Sequence, residues 1–197
     1  MHVARHACDV IEVRDAVLDD ADGLATAHID GWRVAYRGLV PDEYLDAEAF
    51  ATTRRDRWQA WTWQSDVGIR LFVATIHERV VGFGHAGPEI AGSDATRPAT
   101  SEAPTARGEI YGFYLHPSSW GSGAAGALMS RCEEFLRDEG FTTAILWALR
   151  DNPRARAFYE KVGWHATGTE STFSPSDPPE AGLVRVELVI SQYETRL

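Results

Sequence analysis

Apolar positions recur along this chain with two different periods, and the points where one gives way to the other outline its elements. Val10-Ile11-Glu12-Val13-Arg14 alternates with period two and predicts a strand. Asp19 and Asp20 stand where a helix would be capped, and Leu24, Ala27, Trp32 and Tyr36 continue at helical spacing. Pro41-Asp42-Glu43 restarts a helical stretch whose apolar face includes Phe50, Trp58 and Trp61. Arg70–Ile76 and Arg79–Ala86 read as the two strands of a hairpin. From Gly87 to Gly108 the chain is rich in Gly, Pro, Ser, Thr and Ala, too polar to pack and too long for a turn. The expectation there is a mobile loop inserted into the domain.

The second half is more regular. Glu109–Leu115 predicts an aromatic-rich strand, and a glycine-rich turn from Gly121 to Gly126 opens a helix with Ala125, Leu128, Met129, Cys132 and Leu136 on one face. Gly140 stops that helix. Thr142–Leu149 predicts a strand, Asn152–Val162 a helix ended by Gly163, Trp164–Gly168 a short strand and Leu183–Ile190 a last one. The order is strand, two helices, three strands, helix, strand, helix, two strands. It predicts a single α/β domain over residues 10–197, a mixed sheet sandwiched by helices, behind a tail of residues 1–9.

Composition narrows the function classes. At 197 residues, with 44% hydrophobic positions, the chain can bury one sizeable core. No uncharged apolar run is long enough to span a bilayer, and the N-terminus lacks the apolar core of a signal peptide, so a cytoplasmic protein without a membrane partner is expected. A formal charge of −10 argues against nucleic acid. Cys8 and Cys132 make no metal or redox spacing, so no metal is expected.

Gly121, Gly123 and Gly126 match G-x-G-x-x-G, and Asp151 falls near where a ribose-binding acid would stand. A NAD(P)- or flavin-dependent oxidoreductase is therefore one reading. Against it, five residues including Pro117 separate the strand from Gly121, and the unit begins halfway along the chain. A P-loop fails because Ala127-Leu128 stand where Lys and Ser/Thr are required. What these readings share is an anion site: small residues let backbone N–H groups approach phosphate, and the helix N-terminus adds a favourable field.

The segment Tyr114-Leu115-His116-Pro117-x-x-Trp120-Gly121-x-Gly123-x-Ala125 resembles the acetyl-CoA signature of the GNAT superfamily of N-acetyltransferases. Asn152 to Trp164, read as N-x-x-A-x-x-F-Y-E-K-x-G-W, resembles that family's second motif, and Trp32-Arg33-x-Ala35-Tyr36-Arg37-Gly38-Leu39-x-Pro41 is similar to the first-helix region of one bacterial branch. The resemblance implies acetyl transfer from acetyl-CoA to a primary amine of a small molecule or peptide by direct transfer, and is compatible with a homodimer. It also implies that the backbone of Phe113, Tyr114 and Leu115 holds the pantetheine arm, and that N–H groups of Gly121, Ser122, Gly123, Ala124, Ala125 and Gly126 hold the pyrophosphate. Asn152 would contact the cofactor arm, and Tyr159 would protonate the departing thiolate. A non-catalytic CoA-binding regulatory domain is a further reading of the same features.

Two positions depart from the pattern. Trp120 replaces the usual Gln or Arg, and the loop has no basic residue, so charge must come from backbone dipoles or from Arg150, Arg154 or Arg156. Trp147 stands where several members keep a glutamate base. An alkyl amine, with a pKa of about 10.4, must lose a proton before it attacks. Glu109 is the first candidate base, with His116, His85 and His28 behind it. Cys132 faces the core, which argues against an acyl-enzyme.

Overall fold

The computed structural model describes residues 10–60, 68–90, 107–175 and 183–197. Seven strands form one sheet in the order β1-β2-β3-β4-β5-β7-β6. They are β1 (Ile11–Asp15), β2 (Arg70–Ile76), β3 (Arg79–Pro88), β4 (Gly108–Leu115), β5 (Thr143–Leu149), β6 (His165–Phe173) and β7 (Leu188–Arg196). Among these described strands only β4 and β5 pair in parallel, joined by the crossover helix α4 (Ala124–Asp138). The helices α1 (Ala21–Ala35), α2 (Asp42–Leu45) and α3 (Glu48–Ala60) contribute to a core with Val73 and Phe83 on one face of the sheet. On the other face, α4 and α5 (Pro153–Lys161) bury Leu128, Met129, Cys132 and Tyr159 against Phe72, Ile110 and Leu146. Open sheets sandwiched this way do not match the doubly wound order that the dinucleotide reading requires.

The sheet is cut at its centre. β4 and β5 pair only from Gly108↔Ala144 to Ile110↔Leu146. Beyond that β4 stays with β3 as far as Gly82↔Leu115, and β5 stays with β7 as far as Leu149↔Ile190. The bend starts at a bulge. His85 pairs with Gly112 and Ala86 with Ile110, so Tyr111 between them has no partner, and its hydroxyl donates to the Pro88 carbonyl. A bulge adds twist and turns the bulged strand. The two strand ends therefore diverge into a wedge.

Several boundaries differ from those the pattern predicts. The last strand is Leu188–Arg196, not Leu183–Ile190, because Val186 is buried without pairing while the polar run Ser191 to Arg196 carries the ladder. β6 runs to Phe173, well past Gly168, since an exposed edge strand needs no apolar alternation. Gly87 and Gly108 belong to the sheet, Gly87 pairing with Glu109 and Gly108 with Pro88. Of the predicted loop, residues 91–106 lie outside the described residues, as do Cys8 and Trp61. Asp20 does not cap α1 with its side chain. It accepts a bidentate pair from Arg14 at 2.7 and 2.8 Å and the Val17 N–H at 2.8 Å, tying β1 to the turn.

Candidate functional site

The loop at the wide end of the wedge is set by glycine. After the 3₁₀ turn Pro117–Ser119, Gly121 has φ +83° and Gly123 φ +98°. Such angles cost an L-residue about 1–2 kcal/mol, so the backbone requires glycine here. A Cβ at Gly121 or at Gly126, in the first turn of α4, would meet nothing within 4 Å. Close helix–sheet packing therefore does not explain these glycines, and the space above the loop is open. Ser122 Oγ accepts the Ala124 N–H at 3.2 Å, and the first α4 carbonyl bond is Ala127 N–H to Gly123. The N–H groups of Ala125 and Gly126 have no acceptor among the described residues, the usual state of a helix start open to an anion. Within the predicted cradle, Ser122 thus caps its neighbour through its hydroxyl.

The wedge walls come from β4 and α5. Phe113, Tyr114 and Leu115 lie on the stretch of β4 that has left β5. The Leu115 carbonyl accepts the Trp120 indole N–H at 3.3 Å, so one backbone acceptor on this edge already has a donor. Phe113 stacks on Phe158 of α5, ring centroids 5.7 Å apart and planes 16° from parallel. Asn152 is buried as the N-cap of α5, its Oδ1 accepting the Ala155 N–H at 3.2 Å. Its NH2 group has no acceptor among the described residues. Tyr159 follows on the same helix, against Phe158 and Tyr193. Burial, then Tyr114 and Tyr193, push the Tyr159 phenol above its ordinary range. It stays protonated at any physiological pH, as a proton donor must.

On the opposite face, rings from distant segments converge. Tyr114 lies 4.7 Å from His28, 5.3 Å from Phe83 and 6.4 Å from Trp32, and Trp32 meets Tyr36 edge-on at 4.7 Å. The Tyr36 phenol is raised well above its usual range by burial and by the Tyr114 and Tyr159 hydroxyls, which places three phenols within electrostatic reach of one another. Burial raises the Tyr114 phenol, and the Trp32 indole, then Arg54, partly offset that rise. The Trp58 indole donates to His28 Nδ1 at 3.2 Å, so the neutral ring carries its proton on Nε2. Burial, then Arg54 and Arg57, hold His28 well below its ordinary pKa.

Arg54 was not among the residues that sequence patterns single out. Only 5% exposed, its guanidinium stacks 3.6 Å from the Phe50 ring centroid and donates to the Phe50 carbonyl at 3.0 Å. It has no ion pair among the described residues. The signal was there in the register, since Phe50, Arg54 and Trp58 follow at intervals of four on the buried stripe of α3.

The candidate bases fare differently. Glu109 is 2% exposed, and its Oε2 accepts the Ile90 N–H at 3.0 Å, closing the root of the β3–β4 connection. The bulge at Tyr111 places Glu109 on the same sheet face as Tyr114, but five residues earlier, ~16 Å along the strand. The structure does not bring Glu109 beside Tyr159. His116 is a cap: its Nδ1 accepts the Ser118 N–H at 3.2 Å and its Nε2 faces Asp30 at 3.3 Å. Burial pushes His85 down to about 4. Cys132 is fully buried, and burial raises its thiol, which removes it as a nucleophile.

Comparisons with known proteins agree with this geometry. The model of the acetyltransferase (GNAT) family matches residues 26–164. The uncharacterised N-acetyltransferase YuaI of Bacillus subtilis is 30% identical over 145 residues, covering 73% of this chain and 75% of that one. A probable N-acetyltransferase of Mycobacterium tuberculosis is 26% identical over 178 residues, 84% of this chain and 86% of that one. Among solved structures, the PaiA N-acetyltransferase of Thermoplasma acidophilum, in complex with coenzyme A, superposes with a TM-score of 0.68 at 17% identity, covering 95% and 99% of the two chains. Neither the oxidoreductase reading nor the regulatory one gains support from these relatives. By the extent of the family match and by YuaI's identity, the chain belongs to the GNAT acetyltransferase family.

Proposed function

We propose that this enzyme transfers an acetyl group from acetyl-CoA directly to the amine of a small molecule or peptide, with the thioester in the β4–β5 wedge. The observation that carries the reading is the end of β4–β5 pairing at Ile110↔Leu146, beside a glycine loop with open space above it. Acetyl-CoA supplies an activated acyl group. The edge of β4 that β5 leaves at Phe113 to Leu115 holds its arm, the Asn152 NH2 donates to it, and the Ala125 and Gly126 N–H groups face its pyrophosphate. Tyr159 donates its hydroxyl proton to the departing thiolate.

Glu109, the base read from the sequence, lies too far along β4 for direct contact with an amine at Tyr114, so the amine's proton leaves through water. The amine enters on the face lined by His28, Trp32, Tyr36 and Tyr114. Arg54 behind that wall favours the neutral amine, since a nearby positive charge disfavours a second one.

The test combines binding and turnover. Acetyl-CoA at a hundred times its Kd stabilises the fold by about 2.7 kcal/mol and raises Tm, while NADH and FAD do not. An amine screen that follows thiol release then identifies acceptors. Stabilisation by NADH with none by acetyl-CoA contradicts the reading.

A further inference from the structure

The phosphate loop lacks the cation that an anionic ligand calls for. From Trp120 to Gly126 it contains no Lys or Arg, in a chain of formal charge −10. A nucleotide pyrophosphate carries two negative charges, and a helix N-terminus offsets only about half of one.

The cation comes from another helix. The guanidinium of Arg154, in the first turn of α5, lies 4.0 Å from the Trp120 ring centroid. Trp120 is itself fixed at the loop entrance by its indole bond to Leu115. Arg154 and Phe158 are four residues apart on one face of α5, and Phe158 stacks on Phe113 of β4. That face therefore meets the loop and the wedge at two ring contacts, which aim Arg154 at the loop.

Arg150 is differently placed, engaged with Asp151 at 3.1 Å and Glu170 at 3.7 Å. Arg154 has no ion pair among the described residues, and a stacked guanidinium keeps its in-plane donors free for phosphate oxygens.

We propose that Arg154, held on the Trp120 ring, replaces the missing loop cation and binds the pyrophosphate of coenzyme A. The proposal rests on the coenzyme A reading above. Trp120, where the signature has Gln or Arg, is thus the platform for a basic group delivered from α5.

Calorimetric titration of the full chain with coenzyme A tests it. Arg154→Ala weakens binding roughly ten- to hundredfold and flattens the salt dependence of Kd, with the Tm of the free protein unchanged. Arg150→Ala leaves both quantities as they were. Moving the charge into the loop, as Trp120→Arg combined with Arg154→Ala, restores most of the affinity. 3′-Dephospho-coenzyme A shows the same loss on Arg154→Ala. Wild-type affinity in Arg154→Ala, an equal loss in Arg150→Ala, or a loss that vanishes with the dephospho ligand overturns the assignment to pyrophosphate. A wild-type protein that does not bind coenzyme A overturns the parent reading instead, so the two failures are distinguishable.

Discussion

In the proposed site, the two faces of the sheet contribute by different means. On the α4 and α5 face, recognition is largely a backbone property: two glycines at positive φ, uncapped N–H groups at a helix start, and a strand edge released by its neighbour. On the α1 and α3 face, it is a side-chain property, a wall of rings from α1, α3, β3 and β4 around a buried guanidinium. Backbone recognition suits a ligand common to a whole family, because it depends on conformation more than on residue identity. Side-chain recognition can change with each acceptor while the sheet stays as it is.

Acid separates the faces most strongly. His28 and His85 are neutral in the fold, with pKa values below the unfolded value of about 6.5. Below that pH the unfolded chain binds the extra protons, so stability is intact above about 6.5 and is lost as pH falls. Each histidine contributes at most about 1.4 kcal/mol per pH unit, and for His85 the loss continues to about pH 4. Denaturant titrations from pH 7.5 to 4 should show this limb, shallower in His28→Gln and in His85→Gln. An unchanged slope in both variants would break the comparison on the acceptor side.

The cofactor face is broken at Gly123. Valine there must adopt φ +98° or move the loop, at about 1–2 kcal/mol. Coenzyme A affinity should fall roughly ten- to hundredfold as N–H groups lose alignment with phosphate, while a Cβ 3.6 Å from Ile11 leaves the fold assembled. Titration calorimetry beside a melting curve checks both parts. Normal affinity in Gly123→Val would mean that the loop conformation does not matter.

The same contrast explains what could be read from the chain in advance. Gly121, Gly123, Asn152 and Tyr159 stand in short contiguous patterns because a turn and a helix start are local structures, and the element order followed from hydrophobic periodicity. Arg54 and the Tyr114 phenol were not legible as members of the proposed site, since only the tertiary fold brings a helix interior and a strand together. Arg54 in addition sits in a polar run, Thr52 to Arg57, that reads as solvated surface. The late start of β7 was hidden for a related reason: Val186 is buried by the core, not by the ladder, so its apolar character marked burial and not pairing.

The central claim is that Tyr159 protonates the thiolate leaving from a thioester held in the wedge. Single-turnover acetyl transfer by Tyr159→Phe tests it most directly, because the ring and its contacts with Phe158 and Tyr193 remain and only the hydroxyl is lost. The account predicts unchanged acetyl-CoA affinity and Tm, with the transfer rate about 10²–10⁴-fold lower. A wild-type single-turnover rate in this variant would contradict it and leave Tyr159 as a packing residue.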